Sequence, residues 1–221
     1  MNPTETWLAP YRLLLAHHGP QHWWPGETPF EVMVGAVLTQ NTAWTNVEKA
    51  IANLKLAGAL NCPTLLSLSD DRLADLIHPA GFFNVKSRRL KALCTFLAER
   101  GVADQPEHLA AQDSQAELRR ALLAVHGIGE ETADSILLYA LGLPVFVVDA
   151  YTRRAFGRLG LLRGEERYAE IQRLFVSCLP ADANLYNEYH ALIVQLGKHH
   201  CRPRPRCAGC PLNVICPTAS P

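Results

Sequence analysis

Four cysteines near the C-terminus have a spacing that suits an inorganic centre. They are Cys201, Cys207, Cys210 and Cys216, in the pattern Cys-x5-Cys-x2-Cys-x5-Cys. Arginine and proline alternate between the first two, which disfavours a helix and leaves a chain that can wrap around one centre. Zinc held by four cysteines usually takes two Cys-x2-Cys pairs, whereas only one is present, and a [4Fe–4S] cluster tolerates uneven loops. The pattern therefore predicts a metal centre, of zinc or of iron–sulfur type.

A second chemical feature is a glycine turn between two predicted helices. Residues Leu118–Leu141 have the pattern helix, turn, helix, with the turn at His126-Gly127-Ile128-Gly129. Two glycines around an aliphatic residue let the chain reverse and leave N–H groups unpaired at the start of the second helix. Such groups bind phosphate, directly or through a cation. The same pattern also suits an ordinary connection between helices.

A single aspartate follows an apolar run and opens the next predicted helix. The run is Pro144–Val148, and the aspartate is Asp149. An aspartate in this place is commonly only the N-cap of its helix. Its carboxylate could equally stabilise a positive charge or activate water. The local sequence leaves both roles open.

Three of the four tryptophans fall in two short segments. Trp23 and Trp24 precede Pro25, and Trp44 follows the segment Thr39–Thr42. One interpretation is ordinary core packing. The other is an aromatic sandwich for a positively charged ring, because indole faces attract cations by about 0.5–2 kcal/mol each.

Helical spacing of apolar residues recurs along the 221-residue chain and predicts about ten short helices in an all-α fold. The formal net charge is zero, which excludes a strongly basic, histone-like protein but not a nucleic-acid enzyme with a local basic face. The seven cysteines do not suit a disulfide framework. With no signal peptide or membrane span apparent, we expect a soluble cytoplasmic protein without membrane contact, nucleoid-associated if bacterial.

Together these features resemble the helix-hairpin-helix DNA glycosylases of the endonuclease III superfamily. The resemblance runs from about Phe30 to Cys216 and rests on the hairpin, Val148-Asp149 and the cysteine pattern. It also includes Gly81–Lys86, similar to the family's Gly-aromatic-aromatic-Asn-x-Lys turn. The first cysteine gap is one residue shorter than in endonuclease III, and His126 replaces the usual proline.

The resemblance implies two helical lobes with a DNA cleft between them. One lobe would span 29–142 and end in the hairpin; the other would join 1–28 to 143–221 and hold a [4Fe–4S] cluster on the four cysteines. Asp149 would be the catalytic residue, and a monovalent cation could sit at the hairpin. The partner would be double-stranded DNA with a damaged base, bound by a monomer.

One departure from the family affects the chemistry. Members that also cut the strand carry a lysine in Gly-x-Gly-x-Lys-Thr-Ala, where this chain has Glu131. A carboxylate cannot form a Schiff base with the sugar, so the covalent lyase route is closed and hydrolysis remains.

Within this superfamily the chain is most similar to the endonuclease III-like 3-methyladenine DNA glycosylases (class III). This similarity rests on Trp23-Trp24-Pro25, on Thr39–Thr42 with Trp44, and on Gly127–Asp134. By that resemblance Trp24 and Trp44 would stack on the flipped base, and Glu131 would line the pocket beside Trp23 and Pro25. We therefore predict a monofunctional glycosylase for alkylated purines, 3-methyladenine and also 7-methylguanine. Two alternatives are an enzyme for oxidised pyrimidines or mismatched bases, and a non-catalytic protein that binds DNA damage.

The remaining predicted contacts concern the DNA itself. Gln40 or Asn41 would fill the hole left by the flipped base, or would only cap a turn. Gly127, Ile128 and Gly129 would contact a phosphate. The basic residues placed to reach phosphates are Lys86, Arg88, Arg153 and Lys198.

Overall fold

The computed structural model describes residues 2–219, and this range contains helices, turns and loops but no β-strand. The predicted all-α class is therefore confirmed. Within the same range, no helix is long and apolar enough to cross a membrane. The α-helices are α1 (Pro3–His18), α2 (Pro29–Leu38), α3 (Trp44–Leu56), α4 (Cys62–Ser67), α5 (Asp70–Leu76), α6 (Phe83–Glu99), α7 (Gln115–Ala124), α8 (Glu130–Ser135), α9 (Ala150–Arg158), α10 (Tyr168–Cys178) and α11 (Ala183–His199).

Three tighter or wider helical turns complete the secondary structure. Two are 3₁₀ turns, at His78–Ala80 and Pro106–Ala111. The third is a π-helical turn, Ile136–Ala140, which follows directly on α8. A π turn is rare and frequently lies at a functional site.

The chain forms two compact units, one of residues 24–143 and one of residues 2–23 with 144–219. The sequence placed the lobe boundaries at 28/29 and 142/143. In the first unit α2 is buried along its length from Phe30 to Leu38 and contacts α3, α6, α8 and the π turn. A helix buried all round must be apolar on nearly every face, and α2 is so apart from Glu31, which pairs with Lys55 at 3.0 Å. This helix thus leads the following loop, 39–43, out of the core of the unit.

Aromatic side chains fill the core of the second unit. Phe146 stacks on Phe175 with ring centroids 3.8 Å apart, and Trp7 lies edge-on to Phe175 at 4.7 Å. The hydroxyl of Tyr189 donates to the carbonyl oxygen of Trp7 at 2.7 Å, which joins α11 to α1. Val145–Val148 is buried in this core without regular secondary structure, and the next residue, Asp149, lies at the start of α9.

Candidate active site and cysteine cluster

Asp149 caps α9 with one of its carboxylate oxygens. Oδ1 accepts hydrogen bonds from the backbone N–H of Thr152 at 2.7 Å and from its hydroxyl at 2.8 Å. The hydroxyl oxygen of Thr152 in turn accepts from the Asp149 N–H at 3.5 Å, which completes a capping box. The capping role that the sequence allowed is therefore real. It occupies Oδ1 and leaves Oδ2 for a different interaction.

Oδ2 of Asp149 lies 3.5 Å from Nε2 of His190, which projects from the middle of α11. Both residues are buried, with 9% and 7% of their surface exposed. Burial raises the pKa of Asp149, but the charge and hydrogen bond of His190, with the bonds from Thr152, outweigh it and hold that pKa below its usual value. These contacts favour the ionised form of the buried carboxylate.

The predicted hairpin connects α7 to α8 and is confirmed. Gly127 has φ of 82°, in the left-handed region that favours glycine, and a Cβ there would collide with the side chain of Arg89. Gly129 is the N-cap of α8 and offers no side-chain cap. Arg119 on α7 donates two hydrogen bonds to Asp134 on α8, from Nε to Oδ1 at 2.7 Å and from Nη2 to Oδ2 at 3.0 Å. This part-buried ion pair joins the two hairpin helices.

Gln40 is bonded to the hairpin. Its Nε2 donates to the carbonyl oxygen of Gly127 at 3.1 Å and to Oγ1 of Thr132 at 2.9 Å, and its Oε1 accepts from Arg89. Asn41 follows it as an exposed residue with φ of 53°. Gln40 and Asn41 were the two candidates for filling the hole left by a flipped base. The side chain of Gln40 is hydrogen-bonded within the protein, whereas Asn41 is exposed.

Lys86 is not available to DNA, contrary to the expectation from the sequence. It is 1% exposed, and its Nζ donates to the carbonyl oxygens of Leu38 and Ala80, both at 2.8 Å, and to Oγ1 of Thr42 at 2.6 Å. Burial, with the nearby Arg89 charge, lowers the pKa of Lys86 to about 8. The side chain therefore joins the loop after α2 to the turn before α6. The spacing along the sequence could not show this, because the acceptors lie on distant segments.

The other predicted basic contacts are exposed. Arg88 lies on the outer face of α6. Arg153 is exposed but donates from Nη1 to the carbonyl oxygen of Glu166 at 2.7 Å. Lys198 is exposed, with Nζ 5.9 Å from the ring centroid of Trp23.

The structure brings Trp24 and Trp44 together, but not as parallel plates. Their ring centroids are 5.1 Å apart and their planes meet at 90°. Gly35 allows the Trp24 indole to lie close to α2, since a Cβ there would be 3.1 Å from the ring. Two parallel indole faces are therefore not present in this pair. Trp23 belongs to the other unit, and Pro25 is exposed.

Tyr139 is an aromatic neighbour that the sequence analysis missed. It lies on the π turn, and its ring centroid is 5.2 Å from that of Trp24. Glu131 is exposed one residue into α8, and its carbonyl oxygen accepts from the Ser135 hydroxyl at 2.7 Å. The widened turn shifts the register of side chains beyond residue 135, so plain 3.6-residue spacing could not have located Tyr139.

Phe82 was also missed. It is 67% exposed and has φ of 45° as the N-cap of α6. A non-glycine residue in this conformation is unusual, and an exposed phenylalanine there is more so. The available signal was the pair of aromatic residues after Gly81, which the sequence analysis used only as a motif.

The four cysteines of the C-terminal segment line one cavity, together with Arg158 and His200. Nη1 of Arg158 lies 3.3 Å from Sγ of Cys201 and donates to the carbonyl oxygen of Arg202 at 2.7 Å. Burial first, and then the three neighbouring thiols, raise the pKa of Cys210. Within residues 2–219, no group of three or more histidine, cysteine or carboxylate side chains is arranged to hold a single metal ion.

Known proteins similar to this chain include DNA repair enzymes. The HhH-GPD superfamily of base excision DNA repair proteins matches residues 34–181. A Methanocaldococcus jannaschii protein, provisionally named a DNA repair glycosylase, is 48% identical over 207 residues, or 93% of each chain. Endonuclease III of Escherichia coli is 27% identical over 191 residues, covering 86% of this chain and 83% of its own.

Two solved structures share the fold. An endonuclease III–DNA complex superposes with a TM-score of 0.82 at 21% identity, covering 99% of this chain and 97% of its own. The H. pylori 3-methyladenine DNA glycosylase MagIII bound to 1,N6-ethenoadenine has a TM-score of 0.75 at 30% identity, covering 90% of this chain and 98% of its own. The chain therefore belongs to the HhH-GPD superfamily of base excision DNA repair proteins and is a DNA glycosylase of the endonuclease III type.

Proposed function

We propose that this glycosylase is monofunctional and hydrolyses the bond between deoxyribose and N-alkylated purines, such as 3-methyladenine and 7-methylguanine. The observation that carries the proposal is Glu131, an exposed carboxylate at the position of the lyase lysine. A carboxylate cannot form a Schiff base, which favours hydrolysis without strand cleavage. It also attracts a base that carries positive charge. The 30% identity to MagIII, a 3-methyladenine glycosylase, supports the same substrate class.

The aromatic group of Trp24, Trp44 and Tyr139 is the proposed surface for the damaged base. All three belong to the unit 24–143, as does Glu131. Indole and phenol faces attract cations, and this attraction increases when the partner is removed from water. Because the rings of Trp24 and Trp44 are perpendicular, the base would stack on the face of one ring, and the other ring would contact the edge of the base. Neutral purines lack this electrostatic contribution, so the surface favours alkylated ones.

Asp149 is proposed as the catalytic residue. When the glycosidic bond breaks, its electron pair goes to the cationic purine, which leaves neutral, and the sugar develops oxocarbenium character. An anionic carboxylate stabilises that charge. Water then bonds to C1′ of the sugar and releases one proton to the solvent, which gives the hydroxyl of the abasic sugar. The positive charge of the alkylated purine already weakens the glycosidic bond, so stabilisation of the sugar cation by one carboxylate is sufficient.

Base flipping requires something to support the gap left in the duplex. Asn41 and Phe82 are the proposed residues, because both are exposed and both stand on strained backbone. Phe82 has the apolar shape of side chains that enter between base steps. The hairpin turn Gly127–Gly129 is proposed to contact a phosphate, with a monovalent cation between the turn and the phosphate. Arg153 and Lys198 would attract the DNA phosphates by charge, an attraction that salt weakens.

A [4Fe–4S] cluster is the proposed occupant of the cysteine cavity. Four thiols line that one cavity. A cluster, in which each thiolate binds a different iron atom, tolerates the uneven loops between these cysteines, whereas zinc usually takes two Cys-x2-Cys pairs. Cys201, Cys207, Cys210 and Cys216 would hold it, and the Arg158 guanidinium would offset part of its negative charge. When bound, the cluster supplies a covalent crosslink of the loop. Iron and sulfide analysis tests this, and Cys207→Ser should lose both whereas Cys178→Ser should lose neither.

The substrate proposal is tested by parallel incubation with methylated DNA and with a thymine-glycol duplex, and chromatography of the released bases. Release of 3-methyladenine or 7-methylguanine from the first, and little from the second, is expected. Preferential release of thymine glycol would contradict the proposal and favour an oxidised-pyrimidine enzyme. Binding of both duplexes with no release of any base would favour a non-catalytic damage sensor.

A further inference from the structure

His190 is a buried polar residue in the middle of α11, a helix that is otherwise apolar on its inner face. Its neighbours Tyr189 and Ala191–Val194 are buried with it. A buried polar side chain is costly unless it is hydrogen-bonded or paired. Nothing in the spacing of the sequence connects it to Asp149, since 41 residues separate the two positions, 149 and 190. The fold nevertheless brings its Nε2 to 3.5 Å from Oδ2 of Asp149.

We propose that His190 is a positioning residue for the glycosylase reaction, holding the Asp149 carboxylate in its orientation and ionised through Oδ2. The inference rests on the proposed function, in which Asp149 faces the developing sugar cation. The cap alone fixes Oδ1 through two donors of Thr152. With Oδ1 held by Thr152, the carboxylate can still rotate about its hydrogen bonds at that oxygen. A contact at Oδ2 removes this rotation.

The burial of Asp149 makes this second contact necessary. An ordinary N-cap aspartate is solvated, so its other oxygen is stabilised by water. Asp149 is only 9% exposed, and an isolated buried carboxylate would be strongly disfavoured as an anion. Nε2 of His190, 3.5 Å from Oδ2, is placed to donate to that oxygen and so to stabilise the buried anion. His190 itself needs no contact with DNA, which separates its role from that of a catalytic residue.

The test compares three variants under single-turnover conditions on methylated DNA. His190→Leu removes the donor but keeps an apolar side chain of moderate size. His190→Gln keeps an N–H near the position of Nε2 without the imidazole. Ile193→Ala is the matched control, a fully buried change on the same helix that loses packing but no polar group. The unfolding free energy and the Kd for an abasic-analogue duplex are measured for each.

We expect His190→Leu to slow base release by about 10- to 100-fold, as for other donors that orient a charged group, with the Kd for DNA unchanged. His190→Gln should recover most of the rate. Ile193→Ala should lose stability and keep its rate. The proposal is overturned if His190→Leu keeps the wild-type rate, or if the glutamine variant is as slow as the leucine variant.

A second readout does not depend on activity. In ¹⁵N NMR with labelled histidine, the His190 signals are identified by their loss in His190→Gln. Nε2 should carry a proton in the wild type, and Asp149→Asn should change its chemical shift. If the chemical shifts of His190 are the same in Asp149→Asn as in the wild type, the contact is absent and the proposal fails. If the contact is present but the wild type releases no base, the proposed function fails instead.

Discussion

Asp149 and Glu131, the two carboxylates to which the proposed function gives a role, lie in opposite surroundings. Asp149 is buried, with donors at one oxygen and a histidine at the other. Glu131 is exposed in the first turn of α8. A buried and paired charge is already oriented and desolvated before the reaction begins, so it can act on a reacting centre. An exposed charge is solvated and adaptable, which suits the recognition of different alkylated bases. Under the proposed function, the first acid would take part in the chemistry and the second would select the base.

The largest effect is expected from Asp149→Asn. Asparagine is as good an N-cap as aspartate, so α9 should be kept, and the unfolding free energy should fall only by the lost contact of the carboxylate with His190. The negative charge is lost, and base release should fall by about 10³-fold while the Kd for DNA is kept. Single-turnover release and denaturant titration measure the two quantities. If the variant keeps its rate, Asp149 is a cap and nothing more.

Lys86 extends the comparison to a buried cation. Lys86→Met leaves the carbonyl oxygens of Leu38 and Ala80 without their donor, and should lower the unfolding free energy by about 3 kcal/mol. Arg88→Met, at an exposed position on the same helix, is the control and should change it little. Equal losses in the two variants would contradict the structural role assigned to Lys86. Denaturant unfolding provides the measurement.

Glu131→Gln tests the exposed acid. Removing its charge should reduce release of cationic 7-methylguanine by about tenfold, or 1.4 kcal/mol, because a solvated charge contributes modestly. The control is Glu130→Gln, since the neighbouring Glu130 is bonded to Arg119 at 3.4 Å. A similar loss in both variants would indicate a general charge effect on α8 rather than a role in selecting the base.

The smallest effect is on the pH dependence of stability. The pKa of Asp149 is held below its ordinary value of 3.8, so its ionised form stabilises the folded state above that pH. This contribution is lost as the pH falls through the folded-state pKa. The difference in unfolding free energy between wild type and Asp149→Asn should therefore be constant near neutral pH and shift against the wild type in acid. A difference that does not change with pH would mean that the pKa is not lowered.

The sequence predicted the features that depend on neighbouring residues. The all-α class and the hairpin turn follow from periodicity and from glycine, and both are present. Asp149 was placed correctly at the start of a helix, because an N-cap is a local signal. The assignments of catalytic and pocket roles remain predictions.

The features that depend on distant segments were missed. Lys86 was expected at the surface, but its three acceptors come from segments that only the fold brings together. His190 gave no signal, since its partner is far along the chain. The angle between Trp24 and Trp44 depends on the packing of α2 and α3, which residue type does not specify. Sequence patterns thus located the chemical groups better than their surroundings.

The most direct test of this account follows base release and strand cleavage together on one methylated duplex with the wild-type protein. The account predicts that alkylpurines are released, that abasic sites accumulate in equal number, and that strands break only after alkali. Strand cleavage that keeps pace with base release would contradict it, because Glu131 offers no amine for the covalent route.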